Sequence, residues 1–217
     1  MITSIQQLSE IPTVFVLYYA GSSGEFLSLA LSQCFAQMAK GWHHWENTSR
    51  VKFQDIYGRS FNSGDTSFLD TDLLLYRAST YLESHQDPGL IHIGMAHPDH
   101  GVLSFIYQHF ANHPVIEITT HQPSGLQFRA SAVKSKITHL SRPEIAWHKL
   151  PHQHRVKFKK HLQIEWQDLV FDAATVFDCI ENFLNLQGDK EKFCSMVQQY
   201  KQCNKELLDA LNENNHA

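Results

Sequence analysis

The chain has 217 residues, 42% of them hydrophobic, which is enough for one well-buried domain. Its formal net charge of −4 argues against general nucleic-acid binding, which needs a basic surface, although the 15 histidines would change this balance in mildly acidic solution. No apolar run reaches the roughly 18 residues needed to cross a bilayer, and Met1–Pro12 does not resemble a signal peptide, so we expect one cytoplasmic domain over 1–217 with a disordered tail at about 212–217.

The first segments of the chain predict a strand, a turn and a helix. Thr13–Tyr19 is a β-branched and aromatic run that is apolar on both faces, which is typical of a central parallel strand. It runs into the glycine-rich Ala20–Gly24, and an apolar stripe over Glu25–Lys40 then predicts a helix. Gly41–Asp70 has no clear period, and we expect it to form an irregular loop over one end of the sheet.

The middle of the chain continues the alternation of helices and strands. A helix is predicted from Asp70 to the Asp87–Gly89 stop, and a second strand over Leu90–Gly94. Asp99 is placed to cap a helix that ends near Asn112, and Val115–Thr119 predicts a third strand.

The C-terminal part predicts one more strand and more helices. Pro123 suits the start of a helix towards Lys136, whereas Ile137–His161 is polar, histidine-rich and without a clear pattern. Leu162–Trp166 predicts a fourth strand, followed by a helix after Asp172 and a last helix from about Lys190 to Leu211. The alternation indicates an α/β domain with a mainly parallel sheet of about four to five strands, and ligands bind such sheets at the carboxyl ends of the strands.

The four cysteines show no Cys-x-x-Cys spacing, and each falls in a segment with a helical pattern. We expect reduced thiols, mostly in or near the core. They are Cys34, Cys179, Cys194 and Cys203.

The turn Gly21–Gly24 is the clearest candidate for a binding site. A strand that passes through such a turn directly into a helix aims backbone N–H groups and the positive helix end at one point, which suits a phosphate or sulfate. It is not a Walker A sequence, because no Gly-Lys-Ser/Thr follows. The alternative is a tight structural turn with Ser22 or Ser23 as the helix cap.

The frame of Ser23-Gly24-Glu25-Phe26 and Leu27 resembles the phosphosulfate loop of sulfotransferases that use 3′-phosphoadenosine 5′-phosphosulfate. In that family the loop reads like Pro-Lys-Ser-Gly-Thr-Thr-x-Leu. Here Ser22 replaces the basic residue, and Glu25 and Phe26 replace the two threonines. The resemblance implies a co-substrate site over Gly21–Phe26, which comprises Gly21, Ser22, Ser23, Gly24, Glu25 and Phe26.

Two later segments are similar to the same family. Leu90–Pro98 looks like the strand that ends in the catalytic histidine, which would make His97 the general base; the alternative is one of 15 histidines in this position by chance. Val115–Pro123 looks like the strand before the 3′-phosphate site. In that frame His121 stands at the family's arginine and Arg129 at its serine, with Ser131 two residues on. Arg129 could equally be a solvent-facing helical residue.

The segment from Leu162 to Leu186 resembles a strand, turn and helix that are structural in sulfotransferases. Together the matches imply a three-layer P-loop-type fold and transfer of a sulfuryl group to an unknown hydroxyl acceptor, with 3′,5′-adenosine bisphosphate as product. The alternatives are a non-catalytic protein of this fold that binds a nucleotide or a partner and, third, a P-loop kinase. The oligomeric state stays open.

Other clusters of residues could have either a functional or a purely structural role. Two histidine trios could be read as metal ligands, but neither has a cysteine or carboxylate at convincing spacing, and we expect no metal. The basic cluster in 155–160 could attract an anion or be a solvated run. The aromatic patch in 42–45 could line an acceptor pocket or pin a loop. The trios are His92, His97 and His100, and His148, His152 and His154; the cluster is Arg155, Lys157, Lys159 and Lys160.

Overall fold

A computed structural model of the chain describes residues 2–18, 23–46, 50–54, 71–84, 92–96, 100–119, 158–205 and 208–209. In these ranges strands and helices alternate along much of the chain. The strands are β1 (Thr13–Leu17), β2 (Trp42–Glu46), β3 (Arg50–Gln54), β4 (His92–Ala96), β5 (Val115–Thr119) and β6 (His161–Glu165). The helices are α1 (Ile5–Leu8), α2 (Gly24–Cys34), α3 (Thr71–Ser84), α4 (His100–His109), α5 (Trp166–Phe171), α6 (Ala173–Leu184) and α7 (Lys190–Cys203).

The main sheet is parallel, with strands in the order β4, β1, β5, β6. Leu17 at the end of β1 lies opposite Ala96 on one side and Glu117 on the other. Helices flank this sheet, so the α/β class and the parallel sheet expected from the alternating pattern are confirmed.

Side chains of β1 alternate between two hydrophobic cores, because successive residues of a strand point to opposite faces. Val14 and Val16 pack with α2 and the C-terminal helices α5, α6 and α7. Phe15 and Leu17 pack on the other face with apolar side chains of α1, α3 and α4. Both faces of β1 are therefore covered, which explains why its sequence is apolar throughout.

Helix α2 is buried on nearly every side, and two lysines bond to carbonyls at its C-terminal end. Lys40 Nζ donates to the carbonyl oxygens of Ser32 and Phe35, and Lys192 Nζ donates to that of Gln33 at 2.9 Å. The last carbonyls of a helix have no partner within the helix, and cations at this end also interact favourably with the negative end of the helix dipole. The two lysines therefore stabilise the buried C-terminal end.

Helix α7 runs antiparallel alongside α2. Lys192 and Met196, near its start, contact Gln33 and Cys34 at the end of α2, the Cys34 and Met196 sulfur atoms being 3.9 Å apart. Tyr200, eight residues beyond Lys192, contacts the first turn of α2. One helix thus supports α2 along its length.

Three expectations from the sequence are wrong in part. Gly41–Asp70 is not irregular throughout, because β2 and β3 pair as an antiparallel hairpin. Trp166 begins helix α5 rather than ending a strand. Each cysteine lies in a helix and is free, but Cys179 and Cys203 are exposed, so the thiols are not mostly in or near the core; Cys34 is buried.

Candidate functional site

The site is best located from the direction in which the chain leaves each strand. From β1 the next strand of the main sheet is β4, on one side, whereas β5 leads to β6 on the other side. Adjacent strands whose connections diverge leave a crevice beyond their carboxyl ends, and open α/β sheets bind ligands there. The carboxyl end of β1 is therefore at the position expected for a ligand.

Four of the residues expected to bind the co-substrate belong to the described part of the chain: Ser23, Gly24, Glu25 and Phe26. These consecutive residues form the N-cap and first turn of α2. The other expected co-substrate residues, and the expected general base His97, fall outside the described residues; these ligands are Gly21, Ser22, His121, Arg129 and Ser131. In the sequence, His97 directly follows the last residue of β4, and His121 comes two residues after the last residue of β5.

Ser23 occupies the cap position of α2 without capping it through its side chain. Its backbone is left-handed, with φ of 65°, and its carbonyl accepts the first helical bond from Leu27 N–H at 2.9 Å. Its hydroxyl makes no bond to the helix amides. Ser23 is therefore the N-cap residue of α2, as one of the two alternatives predicted, but its side chain does not cap the helix; Ser22, the other candidate, lies outside the described residues.

The Ser23 hydroxyl is held from the C-terminal part of the chain instead. Trp166 Nε1–H donates to Ser23 Oγ at 3.0 Å, and the Tyr200 hydroxyl lies 2.7 Å from the same atom. Both aromatic side chains are buried. Sequence reasoning did not identify Trp166 or Tyr200 as site residues, and no local signal could have found them, because they are 143 and 177 residues away from Ser23.

Aromatic packing fixes the rest of the first turn of α2. The Phe26 ring stacks on Tyr200 with centroids 4.4 Å apart and an interplanar angle of 28°. Gly24 leaves room for the Tyr18 ring, which a Cβ at position 24 would overlap. The first residues of α2 therefore pack against the Tyr18 and Tyr200 rings.

Charge at this turn is mixed. The positive end of α2 favours an anion, and Glu25 in the first turn already supplies a negative side chain there. Burial raises the pKa of the Tyr200 phenol to about 12; the hydrogen bond with Ser23 lowers it in part, and the Glu25 charge raises it. Tyr200 is therefore a neutral hydrogen-bonding group at every physiological pH.

The raised pKa of Tyr200 predicts a loss of stability in alkali. The phenol is protonated in both folded and unfolded chains below pH 10, so its contribution is complete there, and it is lost as the pH rises from 10 towards 12. At about 1.4 kcal/mol per pKa unit, the free energy of unfolding should fall by about 3 kcal/mol over this range. Urea unfolding at a series of pH values measures it, and Tyr200→Phe should lack this part of the decline. Equal slopes in both proteins would contradict the assignment.

The described part of the chain adds little support for the other candidate sites, the metal site and the basic cluster. In it, no group of three His, Cys, Asp or Glu side chains is arranged to hold a metal ion. Of the basic cluster, Lys159 is exposed and donates to Asn112 Oδ1 at 3.1 Å, as expected of a solvated run. No helix among the described residues is long and apolar enough to cross a bilayer.

Comparison of the chain with protein-family models, with curated proteins and with solved structures gave no significant match in any of the three. The function is therefore inferred from the strand order and from the residues at the start of α2.

Proposed function

We propose that this protein is a sulfotransferase-like enzyme of P-loop type, which binds 3′-phosphoadenosine 5′-phosphosulfate at the β1–α2 turn and transfers its sulfuryl group to a hydroxyl acceptor. The observation that carries the proposal is the adjacency of three strand ends. β1 lies between β4 and β5, and all three run in the same direction. These are the three strands that precede the phosphosulfate-loop, base and 3′-phosphate segments of the resemblance.

The described residues of the turn fit a phosphoryl or sulfuryl group in part. The side chain of Ser23 makes no hydrogen bond to the first amide groups of α2, which leaves them free of that bond for an anion, whereas the space beside Gly24 is filled by the Tyr18 ring. The negative charge of Glu25 opposes such an anion unless the carboxylate points away or pairs with a cation. In the proposed site Arg129 supplies a cation, and a guanidinium grips phosphate oxygens with two hydrogen bonds.

The proposed chemistry is an in-line transfer between two oxygens. As the acceptor oxygen bonds to sulfur, the sulfur–oxygen bond to the nucleotide phosphate breaks. His97 takes the proton of the acceptor hydroxyl, a role that suits a side chain with a pKa near neutrality. The products are a sulfate ester and 3′,5′-adenosine bisphosphate.

A second candidate function is a non-catalytic protein of the same fold that binds a nucleotide or a protein partner. The specific observation that favours it is the Ser23 hydroxyl, which is bonded to Trp166 and Tyr200 within the protein. A loop without the family's basic residue, with Ser22 in its place, would bind a ligand without stabilising the charge that develops during transfer.

Thermal unfolding with added ligands tests the proposed function. A ligand that binds only the folded state at 100 times its Kd adds about 2.7 kcal/mol. This corresponds to a rise in Tm of about 5–10 °C for a domain of this size. We expect this rise with millimolar 3′,5′-adenosine bisphosphate and a smaller one with sodium sulfate.

Adenosine and ATP are the matched controls for this measurement. Adenosine lacks both phosphates and should leave Tm unchanged, while ATP lacks the 3′-phosphate and should bind less well. A rise with ATP alone would favour a P-loop kinase, and no rise with the bisphosphate would refute the proposal. Binding without sulfate transfer to any hydroxyl acceptor would favour the non-catalytic alternative.

A further inference from the structure

The outer edge of strand β6 carries backbone groups that no other strand in the described part of the chain pairs. β6 is the last strand in the order β4, β1, β5, β6, and within the described ranges it pairs only with β5. Val115 N–H donates to the Lys160 carbonyl at 2.9 Å, so in this parallel pair every second residue from Lys160 onwards directs its backbone groups to β5. His161 and Gln163 alternate with those residues, and their N–H and carbonyl groups therefore point outwards.

This edge is accessible and lacks the features that usually prevent strand pairing. Gln163, at the centre of β6, is exposed, and the side chain of His161 is 24% exposed. Natural edge strands are commonly protected by proline, lysine or a bulge. β6 contains no proline and no lysine, and its register with β5 runs without a bulge from Val115 opposite His161 to Thr119 opposite Glu165. The edge can therefore accept a further strand.

The sequence of β6 is complementary to itself in the antiparallel direction. When two copies pair along the whole strand, the two Gln163 residues face each other across a two-fold axis, and Leu162 of one copy faces Ile164 of the other. His161 faces Glu165 in the same way, so a basic side chain lies opposite an acidic one at both ends of the strand. A parallel pairing of the same edges would instead bring each charged side chain next to its own copy. The charges of β6 therefore favour the antiparallel arrangement.

The side chain of His161 already lies beside one carboxylate within the chain. Its Nε2 is 3.0 Å from Glu117 Oε2 on β5, and Gln163 Nε2 donates to the same oxygen at 3.1 Å. These side chains share one face of the sheet, because residues that pair across neighbouring strands point the same way. Glu165 of a second copy would extend this polar cluster across the edge, with His161 between two carboxylates to which an imidazole N–H can donate.

We propose that two copies of this chain associate through their β6 edges, antiparallel and around a two-fold axis at Gln163, so that their main sheets join into one. The proposal is independent of the proposed function. In this arrangement the strands of the two copies run in opposite directions, so the carboxyl ends of their strands lie at opposite edges of the joined sheet and neither covers the other. Five paired residues form a small interface, typical of a weak dimer, and we expect a Kd of about 10–100 μM.

Sedimentation equilibrium of the full chain tests the proposal. The wild type should show a concentration-dependent equilibrium between monomer and dimer. Gln163→Pro should raise the dimer Kd about tenfold or more, because proline removes an outward N–H from each copy, whereas no backbone bond to β5 is lost. Its midpoint of urea unfolding, measured at a concentration where the wild type is monomeric, should therefore change little.

Two charge variants test the position of the two-fold axis. Gln163→Lys and Gln163→Glu each place like charges opposite each other, and each should raise the dimer Kd about two- to fivefold. Mixed in equal amounts, the two variants place opposite charges across the axis, and the mixture should dimerise at least as well as the wild type. Gln199→Lys is the matched control, because it makes the same change at an exposed residue of α7 and should leave Kd unchanged.

Three results would contradict the proposal. A monomer at all concentrations up to about 1 mM would overturn it, and the edge would then be left to an extended peptide of another protein. A dimer whose Kd is the same in Gln163→Pro and Gln163→Lys as in the wild type would also overturn it, because the contact would lie elsewhere. If Gln163→Pro weakened the dimer but the two charge variants did not restore each other, the antiparallel register around Gln163 would be wrong.

Discussion

Gly24→Ala should be the most destabilising single-methyl substitution in the described part of the chain. A Cβ at this position would overlap Cγ and both Cδ carbons of Tyr18, and Cγ is too close to the backbone to swing away. Tyr18 and the first turn of α2 are both buried, so the strain cannot relax into solvent. Overpacking a buried site costs about 1–3 kcal/mol and occasionally more, and we expect about 3 kcal/mol or more here. Urea unfolding measures the change.

Gly188→Ala is the matched control for Gly24→Ala. Its Cβ would lie 2.7 Å from Phe35 Cε1 and 2.8 Å from Phe177 Cζ, a less severe overlap than the 1.9 Å between a Cβ at position 24 and Tyr18 Cγ, so a smaller loss is expected. Adding Tyr18→Ala to Gly24→Ala should make the alanine at 24 nearly neutral relative to Tyr18→Ala alone. Equal losses in both glycine variants, or no relief in the double variant, would contradict this account.

His97→Ala should lower kcat for sulfate transfer by about 10²–10⁴-fold, the range for loss of a general base. The affinity for 3′,5′-adenosine bisphosphate should hardly change, because the proposed base contacts the acceptor rather than the nucleotide. Single-turnover rates with a phenolic acceptor and calorimetric Kd values measure the two effects separately.

Two controls accompany His97→Ala. His109→Ala removes an exposed histidine at the end of α4 and should leave both kcat and Kd unchanged. Arg129→Ala should show the opposite separation, with Kd raised about tenfold or more by loss of a bidentate phosphate contact. If His97→Ala weakened nucleotide binding as strongly as it slowed transfer, His97 would not be the base.

The order of strands and helices was predictable because the apolar pattern of each segment indicates its own secondary structure. The apolar run at Thr13–Leu17 and the stripe that follows Gly24 each describe one element and its burial, and β1 and α2 formed there. The hairpin of β2 and β3 was missed because the sequence there has neither a helical nor an alternating apolar period, although Trp42–Glu46 contains β-prone aromatic residues. Helix α5 was missed because Trp166 continues the apolar pattern of β6.

The candidate site was predictable only in its backbone. Glycine and serine after a buried strand indicate a strand–turn–helix unit, and Ser23 and Gly24 do begin α2. What holds the Ser23 hydroxyl is tertiary information, since Trp166 and Tyr200 come from helices far along the chain. Their buried positions reflect packing against α2, which no pattern within either helix specifies.

The contact between Ser23 and Tyr200 also has a consequence for biosynthesis. The two residues are 177 positions apart, so the ribosome makes Ser23 long before it makes Tyr200. Domains fold as units as synthesis proceeds from the N-terminus. A nascent or truncated chain that stops before α7 would carry Ser23 and Phe26 without the tyrosine that contacts both of them, so the start of α2 would gain this packing only once α7 has been made.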